Sequence, residues 1–148
     1  MKKTLSVLLI LLSLFSVLSF TACDIGEDET TPAPSEETLE AVGLWANAKY
    51  LSSCEIGEGK KTVTVLIVAE GKSIALTVKT DKDDLGAALY ELGIINDPTF
   101  FDTCNGMVAS WDKDQAYWAF KQDGKKLNYG VGDAKISGGE SFSIEYTK

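Results

Sequence analysis

Two hydrophobic patterns divide the chain. From Leu5 to Phe20 every position is apolar or small, whereas from Lys61 onward apolar and polar residues alternate. In the alternating part Val63, Val65, Ile67 and Ala69 fall on one side and Thr62, Thr64, Leu66 and Val68 on the other, the period-two signature of a strand rich in β-branched residues. Glu70-Gly71-Lys72 supplies a glycine turn, and Ser73 to Thr80 alternates again with Ile74, Leu76 and Val78 inward. Together they predict a hairpin. Asp81, Asp83 and Asp84 then suit helix capping and the positive end of a helix dipole, Leu85, Ala88, Leu89 and Leu92 recur at helical spacing, and Gly93 is a stop. The spacing predicts a helix of about three turns packed on one face of the sheet. Further strands are predicted near Phe100 to Cys104, from Ala116 to Gln122 before an Asp123-Gly124 turn, and from Ser141 to Thr147, where Phe142, Ile144 and Tyr146 share a face. A hairpin, a helix and then more strands make an α+β domain with a β-grasp-like sheet.

The uninterrupted apolar run has a different meaning. Lys2 and Lys3 precede it and Thr21-Ala22-Cys23 closes it, which is the tripartite layout of a cleaved secretion signal over residues 1–22. A permanent membrane helix is the rival, because a span needs roughly 17 to 25 apolar residues and this run lies at the low edge. Cys23 favours cleavage: a lone cysteine directly after Thr-Ala resembles the lipobox of bacterial lipoproteins, although Phe20 stands where leucine is usual. That resemblance implies an N-terminal lipidated Cys23, a membrane anchor on the extracytoplasmic face, and acyl chains (palmitate among them) numerous enough for stable attachment.

Composition sharpens the layout. The net charge is −8 with no Arg and no His, and loss of Lys2 and Lys3 with the signal takes it to −10, since residues 1–22 hold no acid. Such a surface repels nucleic acid and lacks the planar donors that grip phosphate. Residues 24–38 carry six acids, no base and two of the three prolines, so with Cys23 they read as an unstructured acidic linker (23–38), acting as a stalk or merely as a tail. Residues 39–148 are then one domain.

Little points to catalysis. Without His the commonest general base, the triads and most zinc sites are missing, and neither a G-x-S-x-G elbow nor a Walker loop occurs, so the chain reads as non-enzymatic, with a carboxylate hydrolase a distant third reading. Asp81-x-Asp83-Asp84 and Asp112-x-Asp114 could meet a hard cation, but both lack the other oxygens and the glycine of a calcium loop, and capping or a solvated turn explains them more simply. No resident metal or cofactor is expected. Cys54 and Cys104 form an even pair beyond a membrane and read as a disulfide, with two free buried thiols as the alternative.

The aromatics are the candidate ligand contacts. Tyr117-Trp118-Ala119-Phe120 puts Trp118 and Phe120 on one face of a strand and Tyr117 on the other, and a helix covers only one face. Met107 and Trp111, in an aperiodic stretch from Gly106 to Trp111, are further candidates; for all five the competing reading is ordinary core. Trp45, after Leu39, Val42 and Leu44, reads as cover for a sheet edge.

The stretch from Lys61 to Lys148, above all Tyr117-Trp118 with its following turn, Gly130, and Ile136 with Gly138-Gly139 before the last strand, resembles the transcobalamin-like C-terminal domain. Members of that family close over cobalamin in transcobalamin and intrinsic factor and also occur in bacterial lipoproteins. The resemblance implies a cobalamin or other corrinoid ligand, and a partner subunit or transporter to supply the other half of the site, because the vitamin carriers bind between this domain and a helical barrel for which 148 residues leave no room. The alternative is a protein-interaction or envelope-structural module using a sheet edge or the stalk.

Overall fold

In a computed structural model the structure describes residues 31–148; the signal segment, Cys23 and the start of the acidic linker lie outside the described residues. Within them the chain forms β1 (Cys54–Gly57), β2 (Lys61–Ala69), β3 (Lys72–Thr80), α1 (Leu85–Glu91), β4 (Thr103–Cys104), β5 (Met107–Val108), α2 (Trp111–Asp114), β6 (Tyr117–Gln122), β7 (Lys125–Lys126) and β8 (Ser141–Thr147). Six strands make one mixed sheet in the order β1-β3-β2-β8-β6-β7, and β4 and β5 form a separate ribbon. The last strand lies in the middle: β8 runs parallel to β2 and antiparallel to β6. This is an α+β architecture dominated by its sheet.

The alternation sets the faces. Val63, Val65 and Ile67 of β2 share one face with Ile74, Leu76 and Val78 of β3 and with Phe142 and Ile144 of β8, and all of these are buried. Trp118 and Phe120 extend that face through their pairing with Tyr146 and Ile144. Leu85, Ala88 and Leu89 of α1 join the same core, with Trp45 from a 3₁₀ turn at Gly43–Asn47. The Trp45 ring is fully buried, and its indole N–H donates to the Ala69 carbonyl at 3.1 Å, capping the end of β2. At roughly 25 cal/mol per Å² this shared burial is the main stabilising term.

Three two-residue turns tighten the sheet and ribbon. Glu70-Gly71, Asn105-Gly106 and Asp123-Gly124 each place two successive residues at positive φ, between 49° and 82°, which is the backbone that matches strand twist in a hairpin. The Asn105-Gly106 turn is the one that the sequence reading did not single out. Asn105 is completely buried: its side-chain amide donates to the Tyr50 carbonyl and its side-chain oxygen accepts from the Tyr50 amide, each at 2.9 Å. The ribbon is thereby stapled to the segment before β1. A side chain at Gly106 would collide with the Asn47 carbonyl oxygen.

Several expectations need correction. The helix runs for seven residues, about two turns rather than three, because Gly93 at φ +64° ends it and Leu92 already caps it. Asp84 is the N-cap, accepting from the Ala87 amide at 2.7 Å. The strand predicted near Phe100 shrinks to Thr103–Cys104, since the Asp97 carboxylate draws the Thr99 and Phe100 amides into a turn at 2.8 Å each. Residues 31–35, within the segment assigned to the loose linker, are held on the sheet: the Ser73 hydroxyl donates to the Pro32 and Ala33 carbonyls, and the Ser35 amide donates to the Ser73 carbonyl. Serine, threonine and proline there satisfy the sheet while Glu36 and Glu37 stay in solvent.

The expected disulfide is not formed. Cys54 and Cys104 are both free thiols. Cys54 sits at the outer edge of the large sheet opposite Leu76, whereas Cys104 lies buried in the small ribbon opposite Met107 and bridged to Ile95. Burial pushes both thiols up, that of Cys104 far beyond the ordinary thiol range, so neither is a ready thiolate.

Candidate functional site

The five aromatic and methionine candidates separate. Met107 is completely buried in the ribbon, and Phe120 stacks on Phe142 with centroids 5.6 Å apart and is 9% exposed; both are core side chains and neither can meet a ligand. Trp118 is nearly buried, edge-on to Tyr146 at 5.5 Å, with its indole N–H donating to the Asp102 carbonyl at 2.9 Å. Trp111 and Tyr117 stay open, 63% and 39% exposed, with ring centroids 6.3 Å apart. The alternation within β6 is therefore as expected, with Tyr117 on the face opposite Trp118.

Around that pair lies a cleft of about 310 Å³ lined by Phe100, Phe101, Asp102, Ala109, Trp111, Ala116, Tyr117 and Trp118. Three elements build it. The Asp97-Pro98 turn delivers Phe100, which is 89% exposed. The Ser110 hydroxyl accepts from the Lys113 amide and starts α2, which carries Trp111 on its first residue. Gln115 ends that single turn in the left-handed region, at φ 53°, and the chain enters β6 at Tyr117. The rim is held in place: the Asp102 carbonyl accepts from both Trp118 and the Ala109 amide, and its carboxylate accepts from Asn96 at 2.8 Å and the Thr103 hydroxyl at 2.7 Å. The Lys126 ammonium lies 5.8 Å from the Tyr117 ring centre. Chemically this is a largely apolar, aromatic recess with one carboxylate at its edge, that of Asp102, already engaged by Asn96 and Thr103. Phe100 and Phe101 were read as part of a strand; their signal was the Asp97-Pro98 pair, a turn cue just ahead of two aromatics.

The carboxylate groups proposed as cation ligands are engaged otherwise. Asp83 pairs with Lys61 at 2.7 Å, and the hydrogen bond and charge of Lys61 hold its carboxyl below the usual range. Asp81 accepts from the Lys60 amide, Asp84 caps α1, and Asp112 and Asp114 point to solvent from α2. Among the described residues no three His, Cys, Asp or Glu side chains converge as a metal site would require.

The opposite face of the sheet carries a second recess of about 290 Å³, over Thr64, Leu66, Ala75 and Ser143, with Thr31 and Pro34 at its side. Beside it Glu145 and Lys121 form a well-covered ion pair at 2.7 Å. Burial alone raises the Glu145 carboxyl, but hydrogen bonds from Lys121, Ser143 and Thr31 outweigh it and hold the group below its ordinary value. Before β8 the Glu140 carboxylate closes the Ser137–Gly138 loop, accepting from the Ser137 hydroxyl and amide and the Gly138 amide, and its pKa falls to about 2. Among the described residues no helix is long and apolar enough to cross a membrane.

No protein-family model matches the chain, and no curated protein matches it. Solved structures do. A protein from Ruminococcus gnavus ATCC 29149, provisionally described as metal binding, superposes with a TM-score of 0.56 at 20% identity over 60% of this chain and 98% of its own. Haptocorrin in complex with Cbi gives a TM-score of 0.47 at 14% identity, over 63% of this chain and 26% of haptocorrin. At such identities the first likeness is one of fold.

Proposed function

We propose that this chain is a non-enzymatic binding domain, lipid-anchored through Cys23 at the extracytoplasmic face of a membrane, whose aromatic cleft receives a flat, largely apolar ligand. The observation that carries this reading is the convergence of Phe100, Trp111 and Tyr117, all substantially exposed, on one recess whose backbone is fixed by hydrogen bonds. Exposed aromatics on a fixed frame bind flat rings at little entropic cost. The proposed ancestry is a β-grasp sheet of the transcobalamin-like kind: hairpin β2-β3, then α1, then β6, β7 and a central β8 parallel to β2. That kinship makes a corrinoid the first ligand to try. A cleft of about 310 Å³ lies at the low end of ligand pockets and cannot enclose a corrin, so it covers one side of the ring and leaves the other to a partner subunit or transporter.

Equilibrium dialysis of a soluble form starting at Asp24 against cobalamin and cobinamide tests the reading. Saturable binding should weaken about 10- to 100-fold in Trp111→Ala, the range for a buried aromatic contact. Absence of saturable uptake of either compound would refute the corrinoid assignment, and uptake unaffected by Trp111→Ala would refute the site.

A further inference from the structure

The segment Thr31–Ser35 crosses the back of the sheet along one row of paired residues. Register places Ser73, Val68, Glu145 and Ala119 side by side on β3, β2, β8 and β6. The segment is fastened at both ends of its path over that row. Thr31 donates its hydroxyl to Glu145 at 3.1 Å, while Pro32 and Ala33 accept from Ser73, and the Ser53 hydroxyl donates to the Ser35 carbonyl at 3.2 Å. Val68, between the fastenings, is 8% exposed and Ser73 only 1%, although α1 covers the other face. Glu145 has its oxygens shared among Thr31, Ser143 and Lys121, so the fastening point is itself held rigid. The next row on this face holds Thr147 and Tyr117, about 7 Å further along the strands.

The strap therefore begins, among the described residues, at Thr31, one row from Tyr117 and its cleft. We propose that this strap fixes which side of the domain faces the membrane, and that the aromatic cleft opens into the gap between domain and bilayer. The inference rests on lipidation of Cys23. Magnitudes decide it: from Cys23 to Thr31 there are eight peptide steps, which span at most about 28 Å, against roughly 35 Å for the diameter of a domain of this length. A linker free as far as Thr38 would span about 50 Å and let the domain turn any side to the lipid. The strapped tether cannot reach around the molecule. A cleft in the gap is reachable by small molecules and by loops of membrane-embedded proteins.

Energy transfer on the full-length, processed protein in phosphatidylcholine–phosphatidylglycerol vesicles bearing a membrane-surface acceptor dye tests this. A donor is attached at Asp112→Cys, beside the cleft, or at Glu58→Cys, in the exposed turn at the opposite end of the strands, each in a Cys54→Ser background. Transfer should be clearly stronger from position 112, and replacing residues 31–35 by a Gly-Ser repeat should bring the two positions together. Equal transfer from both positions with the strap intact would overturn the orientation. Protein that stays off the vesicles would overturn the anchor itself, a failure that dialysis of the soluble form does not share.

Discussion

Asn105 illustrates how one side chain carries a junction. It turns the ribbon at φ 52° and satisfies both backbone groups of Tyr50 while itself fully buried. Asn105→Ala leaves two part-buried backbone groups of Tyr50 without their partner and loses a residue type tolerant of the left-handed region, so stability should fall by about 1 to 3 kcal/mol in chemical denaturation. Trp111→Ala, by contrast, removes an exposed ring and should change stability by no more than about 0.5 kcal/mol, which keeps its effect on binding interpretable. Glu140 links stability to pH. Its folded value lies near 2, below the ordinary 4.5, so its contribution is present above pH 4.5 and lost as pH falls toward 2. Glu145, also depressed, acts with the same sign. Denaturation midpoints of the wild type should drop across this window, and those of Glu140→Gln should drop less; parallel curves would show that the loop carboxylate contributes nothing.

Elements differ in how far they can be read from sequence. The β2-β3 hairpin and β8 were legible because their core-facing positions recur at every second residue, the pattern breaking only near the β2-β3 turn, where Val68 and Ser73 are buried beneath the strap, and at the end of β8. Tyr117 and Trp118 were placed on opposite faces correctly for the same reason. What alternation cannot show is which strand lies beside which: the burial of Met107, and the separation of Cys54 from Cys104, follow from the ribbon standing apart from the sheet. Phe100 was misread because a side chain, the Asp97 carboxylate, and not the local apolar pattern, decides that turn. The strap escaped notice because its anchors, Ser73 and Glu145, lie 38 or more positions away in sequence. The amide of Ser35, which donates to the Ser73 backbone carbonyl, should accordingly exchange with solvent more slowly than the exposed amide of Glu36, and Ser73→Ala, which keeps that carbonyl but removes the hydroxyl bonds to Pro32 and Ala33, should narrow the difference by loosening the strap, as hydrogen exchange would report. The sheet edges are poorly suited to strand addition. Outer β7 is two exposed lysines long and outer β1 has four residues, which tells against an interaction module built on an added strand.

At the scale of the whole molecule, the proposed function joins three parts: the proposed lipid on Cys23, a strap that shortens the tether, and an aromatic cleft next to the point where the strap begins. The acidic surface and the absence of arginine keep polyanions away from that cleft, while leaving a flat neutral or weakly cationic ring free to enter. The central claim is that the cleft is where ligand binds, and nuclear magnetic resonance shift mapping of the soluble form from Asp24, titrated with cobinamide, tests it most directly. The account predicts saturable shifts confined to Phe100, Phe101, Ala116, Tyr117 and the Trp111 indole, with the recess over Leu66 and Ala75 unmoved. Shifts centred on that back-face recess, or none at any ligand concentration, would contradict it.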